Sequence, residues 1–349
     1  MNQATKEKYI KRCFQICQRT WRTTKTNPIV GAVLVYNDRI IGEGYHKVFG
    51  EAHAEVNCIA NVAKGDEEYI EHSSLFLSLE PCSYVGKTAA CSTLILNKRI
   101  PRVYISCQDP NPLVSGKGIK ILEKHGVHVE SGILEKEGQI ILRKFKVNML
   151  QKRPFIALKW AQSQHGYSGI VGESVWYTGQ ASKVKAHALR SQFDAILVGT
   201  NTVLLDNPTL NNRLAPGINP TRIVIDLSEK IDKKKSIFQG EQETIIVTKK
   251  PDYKLPNPNF QKCILIEGEM IDWSSLFAKL FDFGISSVLI EGGPSIHKSI
   301  ANERLWDEAH ILSSKHQQNH GLRAPTLIGR RLESVTLGSD RYDHILASH

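Results

Sequence analysis

His53-Ala54-Glu55, Glu80-Pro81-Cys82 and Cys91 are the residues whose types and spacing could do chemistry in this chain. Imidazole and thiolate suit a zinc ion, and three protein ligands leave a fourth position where water can bind and become acidic. His53, Cys82 and Cys91 supply that count as metal ligands. Glu55, two residues past the histidine, is close enough to face the bound water and better placed as a proton carrier than as a fourth ligand. Taken singly, each residue has a plainer reading: His53 is a satisfied helix histidine, and the cysteines are buried thiols. The ordered set outweighs it. A His-x-Glu opening a helix, then a strand ending in Glu-Pro-Cys, then another cysteine, form one constellation.

Zinc deaminases of nucleobase-like rings divide the labour this way: activated water attacks an amino-bearing ring carbon while a glutamate carries protons to the leaving ammonia. Spacing discriminates further. Nucleoside and nucleic-acid deaminases usually show Pro-Cys-x-x-Cys, whereas eight residues separate Cys82 from Cys91 here. That longer loop, with Gly86-Lys87-Thr88 inside it, resembles the deaminase half of the bifunctional deaminase and reductase family of riboflavin biosynthesis. Where the family usually has His-His, Arg and Pro-Pro, this chain has Tyr84-Val85, Lys87 and Ala89-Ala90.

The elements that must position these groups can be read from periodicity. Tyr9, Ile10, Cys13, Phe14 and Cys17 fall at helical spacing, and packing explains the two cysteines better than metal binding. Asn27-Pro28 to Tyr36, a turn at Asn37-Asp38, and Arg39 to Tyr45 predict a β-hairpin. His46 then leads into the zinc helix, either as an exposed loop histidine or, by the resemblance, as a substrate contact. A helix from Ala54 to about Ala63 needs only its first turn to face the metal. Ser74 to Leu79 predicts a buried strand that delivers Glu80, Pro81 and Cys82 at its C-terminal end, where α/β sheets place their chemistry. A helix near Ser92 to Asn97 and a strand Arg102 to Cys107 follow. Gln108 to Gly118, with two prolines and two glycines, is a shaped loop whose Lys117 could meet a phosphate; a rigid connector is the plain alternative. This order implies a three-layer α/β/α domain of the cytidine-deaminase type over residues 1–150. Gln151-Lys152-Arg153-Pro154 suits the junction to a second domain, 151–349.

Whole-chain properties set outer bounds. At 349 residues, two domains are the natural expectation. No long apolar run suits a membrane helix or a signal peptide, so a cytoplasmic location and no membrane partner are expected. Seven cysteines without a regular framework favour metal ligands and buried thiols over disulfides. A formal charge of +10 could signal nucleic acid, but the basic residues are scattered, and Lys233-Lys234-Lys235 reads as a solvated turn. A positive field also attracts phosphorylated metabolites and a dinucleotide.

The second half lacks a Gly-x-Gly-x-x-Gly after a strand, so spacing alone gives an α/β domain and no more. Strands are predicted at 155–161, 195–199, 221–226, 243–248, 263–266, 287–291 and within 308–313, with helices near 181–190 and 273–281. Ser287 to Glu291 runs into Gly292-Gly293-Pro294 and a helix start, a turn that can offer N–H groups to a phosphate. The tail after about Gly329 shows little pattern.

Leu158-Lys159-Trp160-Ala161-Gln162-Ser163, Gly172 to Trp176, Leu189-Arg190, Asp194 to Gly199, Thr202 to Pro208 and Glu291-Gly292-Gly293 resemble the reductase domain of the same family. The resemblance implies a dihydrofolate-reductase-like α/β fold with NADPH. Carried over, Ala161, Trp176, Thr202, Asp206, Leu227 and Gly293 are cofactor-binding residues, Leu227 through its backbone. Ser174, Arg190, Leu210, Arg213 and Glu291 are substrate-binding residues. A guanidinium offers two parallel donors to a phosphate, although plain surface arginines and a core Trp176 are the alternatives. The family usually reads Ser-x-Asp-Gly where this chain has Ser163-Gln164-His165-Gly166.

The resemblance thus implies zinc-dependent hydrolytic deamination of a phosphoribosylated diaminopyrimidine, then NADPH-dependent reduction of its ribosyl group, with a homo-oligomer and no nucleic-acid partner expected. One rival is a nucleic-acid base deaminase with an appended nucleic-acid-binding domain. Another is a non-catalytic protein stabilised by zinc.

Overall fold

The structure, a computed structural model, describes residues 1–83, 90–112 and 114–348. Tyr84-Val85, Gly86-Lys87-Thr88 and Ala89, named above, lie outside them, as does Leu113 within the stretch Gln108 to Gly118. The chain divides into two compact units, Met1–Lys152 and Arg153–His349.

In the first unit the order is α1 Gln3–Cys17, β1 Gly31–Tyr36, β2 Arg39–Tyr45, α2 Ala54–Ala60, β3 Ser74–Leu79, α3 Cys91–Asn97, β4 Arg102–Cys107, α4 Lys117–Lys124, β5 His128–Ser131, α5 Glu135–Ile141 and α6 Arg143–Gln151. The sheet order is β2-β1-β3-β4-β5. Strand β1 pairs antiparallel with β2 and β3, while β3, β4 and β5 run parallel. Successive strand side chains point to opposite faces, and here both faces are apolar. Ala32, Leu34, Leu75, Leu77, Val103 and Ile105 pack in one cluster with Ala54 and Cys58 of α2 and Ile95 of α3. Val33, Val35, Phe76 and Tyr104 pack in another with Tyr9, Ile10, Cys13 and Phe14 of α1. Two buried faces make three layers. Helix α2 lies almost against β2: a Cβ at Gly44 would stand 2.1 Å from the Cys58 backbone nitrogen and 2.4 Å from the Ala54 carbonyl. That approach fixes the height of the first turn of α2 above the sheet. The helix stops at Ala60, short of the predicted Ala63.

The second unit contains β6 Phe155–Gln162, β7 Tyr167–Gly169, α7 Gln180–Arg190, β8 Ala195–Gly199, α8 Thr200–Asp206, β9 Thr221–Ile225, β10 Thr244–Thr248, β11 Gln261–Leu265, α9 Trp273–Asp282, β12 Ser287–Gly292, α10 Pro294–Asn302, β13 Glu308–Ser313, β14 Leu322–Arg323, β15 Gly329–Leu337 and β16 Asp340–Ala347. Nine strands form one sheet in the order β11-β10-β9-β8-β12-β6-β13-β16-β15. Strands β11 to β13 are parallel, and β13, β16 and β15 continue antiparallel. One face buries Ile156, Leu158, Val288 and Ile290 under Phe277 and Leu280 of α9 and Ile300 of α10. Alternation therefore turns Lys159 of β6, Glu291 of β12 and His310 of β13 to the other face.

The tail after Gly329 departs from the sequence reading. It forms the β15–β16 hairpin, with Asp340 to Leu346 laddered against Glu308 to Ser313 and Gly329 to Leu337. The residues of β15 are mostly exposed, so no hydrophobic alternation marks it; it is held to β16 by the backbone ladder, with Ser334 and Arg331 adding polar contacts to Asp343.

Candidate active sites

Three elements converge on the first site. His53 caps α2 with extended backbone angles and a side chain that makes no capping bond, so its ring is available elsewhere. Cys82 follows the end of β3 by three residues, and Cys91 is the first residue of α3. Their ligand atoms all lie within 4.8 Å of one another. His53 Nδ1 is 3.3 Å from Cys91 Sγ and 3.6 Å from Cys82 Sγ, and the Cys91 backbone N–H donates to Cys82 Sγ at 3.2 Å. One nitrogen and two sulfurs at these separations fit the donor set of a zinc ion with an open position.

The electrostatics suit ligation. Cys82 is pulled down to about 4, first by the hydrogen bond from Cys91 and also by His53, while Cys91 is raised by holding that proton. A thiolate is thus on hand for a metal. The remaining thiols shift the other way: burial raises Cys13, Cys58 and Cys263, pushes Cys17 up to about 12 and Cys107 up to about 11. Glu55 stands in the first turn of α2, 3% exposed, and burial followed by the Cys82 charge pushes its carboxyl up to about 7.

His46 is no exposed loop histidine. It is buried, its Nδ1 donates to the Ala52 carbonyl at 3.1 Å, and Asn27 Nδ2 donates to its Nε2 at 3.1 Å. Its ring meets that of His53 edge-on at 5.6 Å, which places Asn27 and His46 in the wall of the site.

Glu80 was quoted in the motif without a role. Its side chain accepts the backbone N–H groups of Asp109 at 3.2 Å, Gly116 at 2.9 Å, Gly118 at 2.9 Å and Ile119 at 3.4 Å. A carboxylate at the end of a buried strand, two residues before Cys82, ties Asp109, Gly116, Gly118 and Ile119 to that strand end. Its early signal was a charged residue where the strand offers no water. Lys117 opens α4 at the end of that loop.

The second unit gathers its residues at the C-terminal ends of parallel strands. Arg190 of α7 grips Glu291 with two of its three nitrogens, Nε to Oε1 at 2.8 Å and a terminal nitrogen to Oε2 at 2.7 Å, while the other terminal nitrogen donates to the Asn211 carbonyl at 3.0 Å. Lys159, which the sequence reading quoted without assigning a role, approaches Glu291 at 3.6 Å. Burial alone would raise Glu291, yet Arg190 and Lys159 overcome it and hold the carboxyl at about 2. Burial lowers Lys159 and lowers His187 to about 4, the nearby arginines adding to the latter. Arg213 is exposed; its backbone N–H donates to His187 Nδ1 at 3.2 Å and its guanidinium reaches Thr209 and Asn211. Leu210 is buried beside them.

The remaining predicted residues fall into smaller groups. Thr202 faces the glycine turn, where a Cβ on Gly293 would stand 3.5 Å from its hydroxyl. Gly293 caps α10 with no side-chain bond, and Pro294 begins the helix. Ser174 donates to Asp206. Ala161 lies near the end of β6, and Leu227 follows β9 with its carbonyl already accepting the Lys249 N–H at 3.2 Å. Trp176 is 71% exposed with Lys183 Nζ 4.5 Å above its ring, so it is not core. Strand ends, a glycine turn and a bare helix start are the features at which α/β sheets bind dinucleotides. His165 bonds the Gln318 carbonyl through Nδ1 at 3.2 Å, so the imidazole anchors the turn after β6.

The geometry and fold therefore define a zinc deaminase joined to a nucleotide-dependent reductase. Residues 3–107 match the cytidine and deoxycytidylate deaminase zinc-binding region, and residues 154–314 match the RibD C-terminal domain. The chain is 33% identical over 331 residues to riboflavin biosynthesis protein RibD of Aquifex aeolicus (strain VF5), covering 93% of this chain and 91% of that one. It is 35% identical to the RibD protein of Bacillus amyloliquefaciens, covering 96% and 89%. A crystal structure of a diaminohydroxyphosphoribosylaminopyrimidine deaminase/5-amino-6-(5-phosphoribosylamino)uracil reductase from Thermotoga maritima superposes with a TM-score of 0.89 at 30% identity, covering 99% of each chain. The chain belongs to the RibD family of riboflavin biosynthesis, a bifunctional deaminase and reductase with Zn²⁺ and NADPH as cofactors. Its fold is accordingly cytidine-deaminase-like in the first part and dihydrofolate-reductase-like in the second. Among the described residues no helix is long and apolar enough to cross a membrane.

Proposed function

We propose that the first unit hydrolyses the 2-amino group of 2,5-diamino-6-(ribosylamino)pyrimidin-4-one 5′-phosphate, and that the second reduces the ribosyl group of the product to a ribityl chain. The observation that carries the first half is the meeting of His53, Cys82 and Cys91 beside a buried Glu55. Zinc, when bound, supplies an acidified water, its pKa brought from about 15.7 toward about 7. His53, Cys82 and Cys91 hold the metal. Glu55 takes a proton at its carboxylate and returns it to the departing amine. Asn27 and His46 shape the ring pocket, and Glu80 holds the 108–119 loop against it.

In the second unit NADPH, when bound, supplies the hydride. Thr202 and Gly293 line the cofactor with Ala161, Trp176, Asp206 and Leu227. Arg190, Arg213, Ser174, Leu210 and Glu291 hold the phosphoribosyl substrate, with Glu291 fixing the Arg190 fork in place. The protein works in the cytoplasm, as a homo-oligomer and without nucleic acid.

The test is incubation of the purified protein with the diaminopyrimidine phosphate, with and without NADPH, following ammonia and nicotinamide absorbance separately. Ammonia release without NADPH, and NADPH oxidation only after it, are expected. Deamination of single-stranded oligonucleotide or tRNA with no turnover of the free pyrimidine would support the nucleic-acid rival instead.

A further inference from the structure

A second cluster of metal-ligating side chains lies in the other unit. Strand β13 carries Glu308 and His310 on one face, and antiparallel β16 places His344 directly opposite His310. His310 Nε2 lies 3.1 Å from one Glu308 oxygen, and His344 Nε2 lies 2.9 Å from the other. Glu308 and His310 are buried, His344 half-buried, and the three ligand atoms lie within 4.8 Å of one another, as do those of His53, Cys82 and Cys91.

We propose that Glu308, His310 and His344 bind a second divalent transition cation. Two imidazoles and one carboxylate suit zinc, cobalt or nickel rather than calcium or magnesium. Ligands at about 2.1 Å from a metal stand about 3 to 3.4 Å apart along the edges of its coordination polyhedron. His310 Nε2 at 3.1 Å from Glu308 Oε1 falls inside that range and His344 Nε2 at 2.9 Å from Oε2 just under it; at the first site the larger sulfurs set the separations to His53 at 3.3 Å and 3.6 Å. His310 Nδ1 is 2.8 Å from Tyr342 Oη, the partner on the remote nitrogen that orients a ligating imidazole. The rings of His310 and His344 stack at 4.6 Å, which keeps both Nε2 atoms on the same carboxylate. The ladder between β13 and β16 presets all three donors, and the cation ties the C-terminal hairpin to the parallel sheet.

The full-length protein, stripped with a chelator, refilled with excess Co²⁺ and passed through a desalting column, should retain two equivalents. One should carry the intense thiolate-to-cobalt absorption and the other only weak d–d bands. A Cys82→Ser/Cys91→Ser variant should keep the second alone, and adding His310→Ala and His344→Gln should remove it. Circular dichroism establishes that each variant is folded. If the folded Cys82→Ser/Cys91→Ser variant keeps no cobalt, the three side chains are a hydrogen-bonded triad and the proposal fails. It fails equally if that equivalent survives loss of both histidines in a folded protein. Should the histidine variants not fold, the spectrum of the wild-type second equivalent decides: thiolate absorption in it overturns the assignment.

Discussion

Glu55 has one oxygen-bearing side chain and no ligand to give up, so its removal separates proton transfer from metal binding. Glu55→Ala should retain zinc by elemental analysis while ammonia release falls about 10²- to 10⁴-fold. A purely structural zinc would leave the rate unchanged. Arg190 works differently, because its two parallel donors meet both oxygens of Glu291. Lysine carries the charge but not the fork. Arg190→Lys should therefore cut NADPH oxidation about 10- to 100-fold, the equivalent of losing a charged hydrogen bond, with ammonia release unaffected. Glu291 also sets an acid limit. Its folded carboxyl at about 2 lies below the ordinary value of 4.5, so its stabilisation is fully present above 4.5 and is lost as pH falls toward 2. His187, lowered to about 4 from 6.5, adds a loss beginning below 6.5, because the unfolded chain takes up the proton first. Urea midpoints of the second unit, followed by near-ultraviolet circular dichroism, should fall on acidification from 6.5. Glu291→Gln should flatten the decline between 4.5 and 2.

At the scale of elements, the 108–119 loop has an organiser in Glu80. Four backbone N–H groups share this one carboxylate, so Glu80→Ala leaves buried donors unsatisfied at about 1–3 kcal/mol each in the worst case. Hydrogen exchange at Gly116 and Gly118 should rise, and KM for the pyrimidine should rise with it, while zinc content stays the same. Glu80→Gln, which keeps acceptor oxygen on one side, should restore part of the protection. If exchange at those amides is unchanged in Glu80→Ala, the carboxylate does not hold the loop. Helix α2 depends on a different kind of fit, since any side chain at Gly44 meets the helix backbone. The helix must then move outward and take His53 and Glu55 with it.

For the whole molecule, the two chemistries of the proposed function rest on separate sets of residues, one in each compact unit. Ammonia release in Arg190→Lys and NADPH oxidation in Glu55→Ala, the latter given the already deaminated substrate, should both stay within about twofold of the unmodified protein, as expected for sites that share no residues. Coincident loss of both activities in either variant would instead mean that one site depends on the other.

The residues His53, Cys82 and Cys91 that the structure brings together, the strand that leads to Cys82 and the division into two units were legible in the sequence. Ligand chemistry is carried by residue type and short spacing, and buried parallel strands by unbroken apolar runs. Tertiary structure decided what depends on distant partners. Lys159, Arg190 and Glu291 are far apart in sequence and become one ion cluster only because β6, α7 and β12 meet. Sequence left His46 open between an exposed loop histidine and a substrate contact, and its bonds to Asn27 and the Ala52 carbonyl rule out the exposed loop. The β15–β16 hairpin is polar along its outer strand, so its position was set by backbone pairing rather than by any pattern a single sequence displays. That same pairing brings His344 across from His310, a juxtaposition that local spacing does not encode.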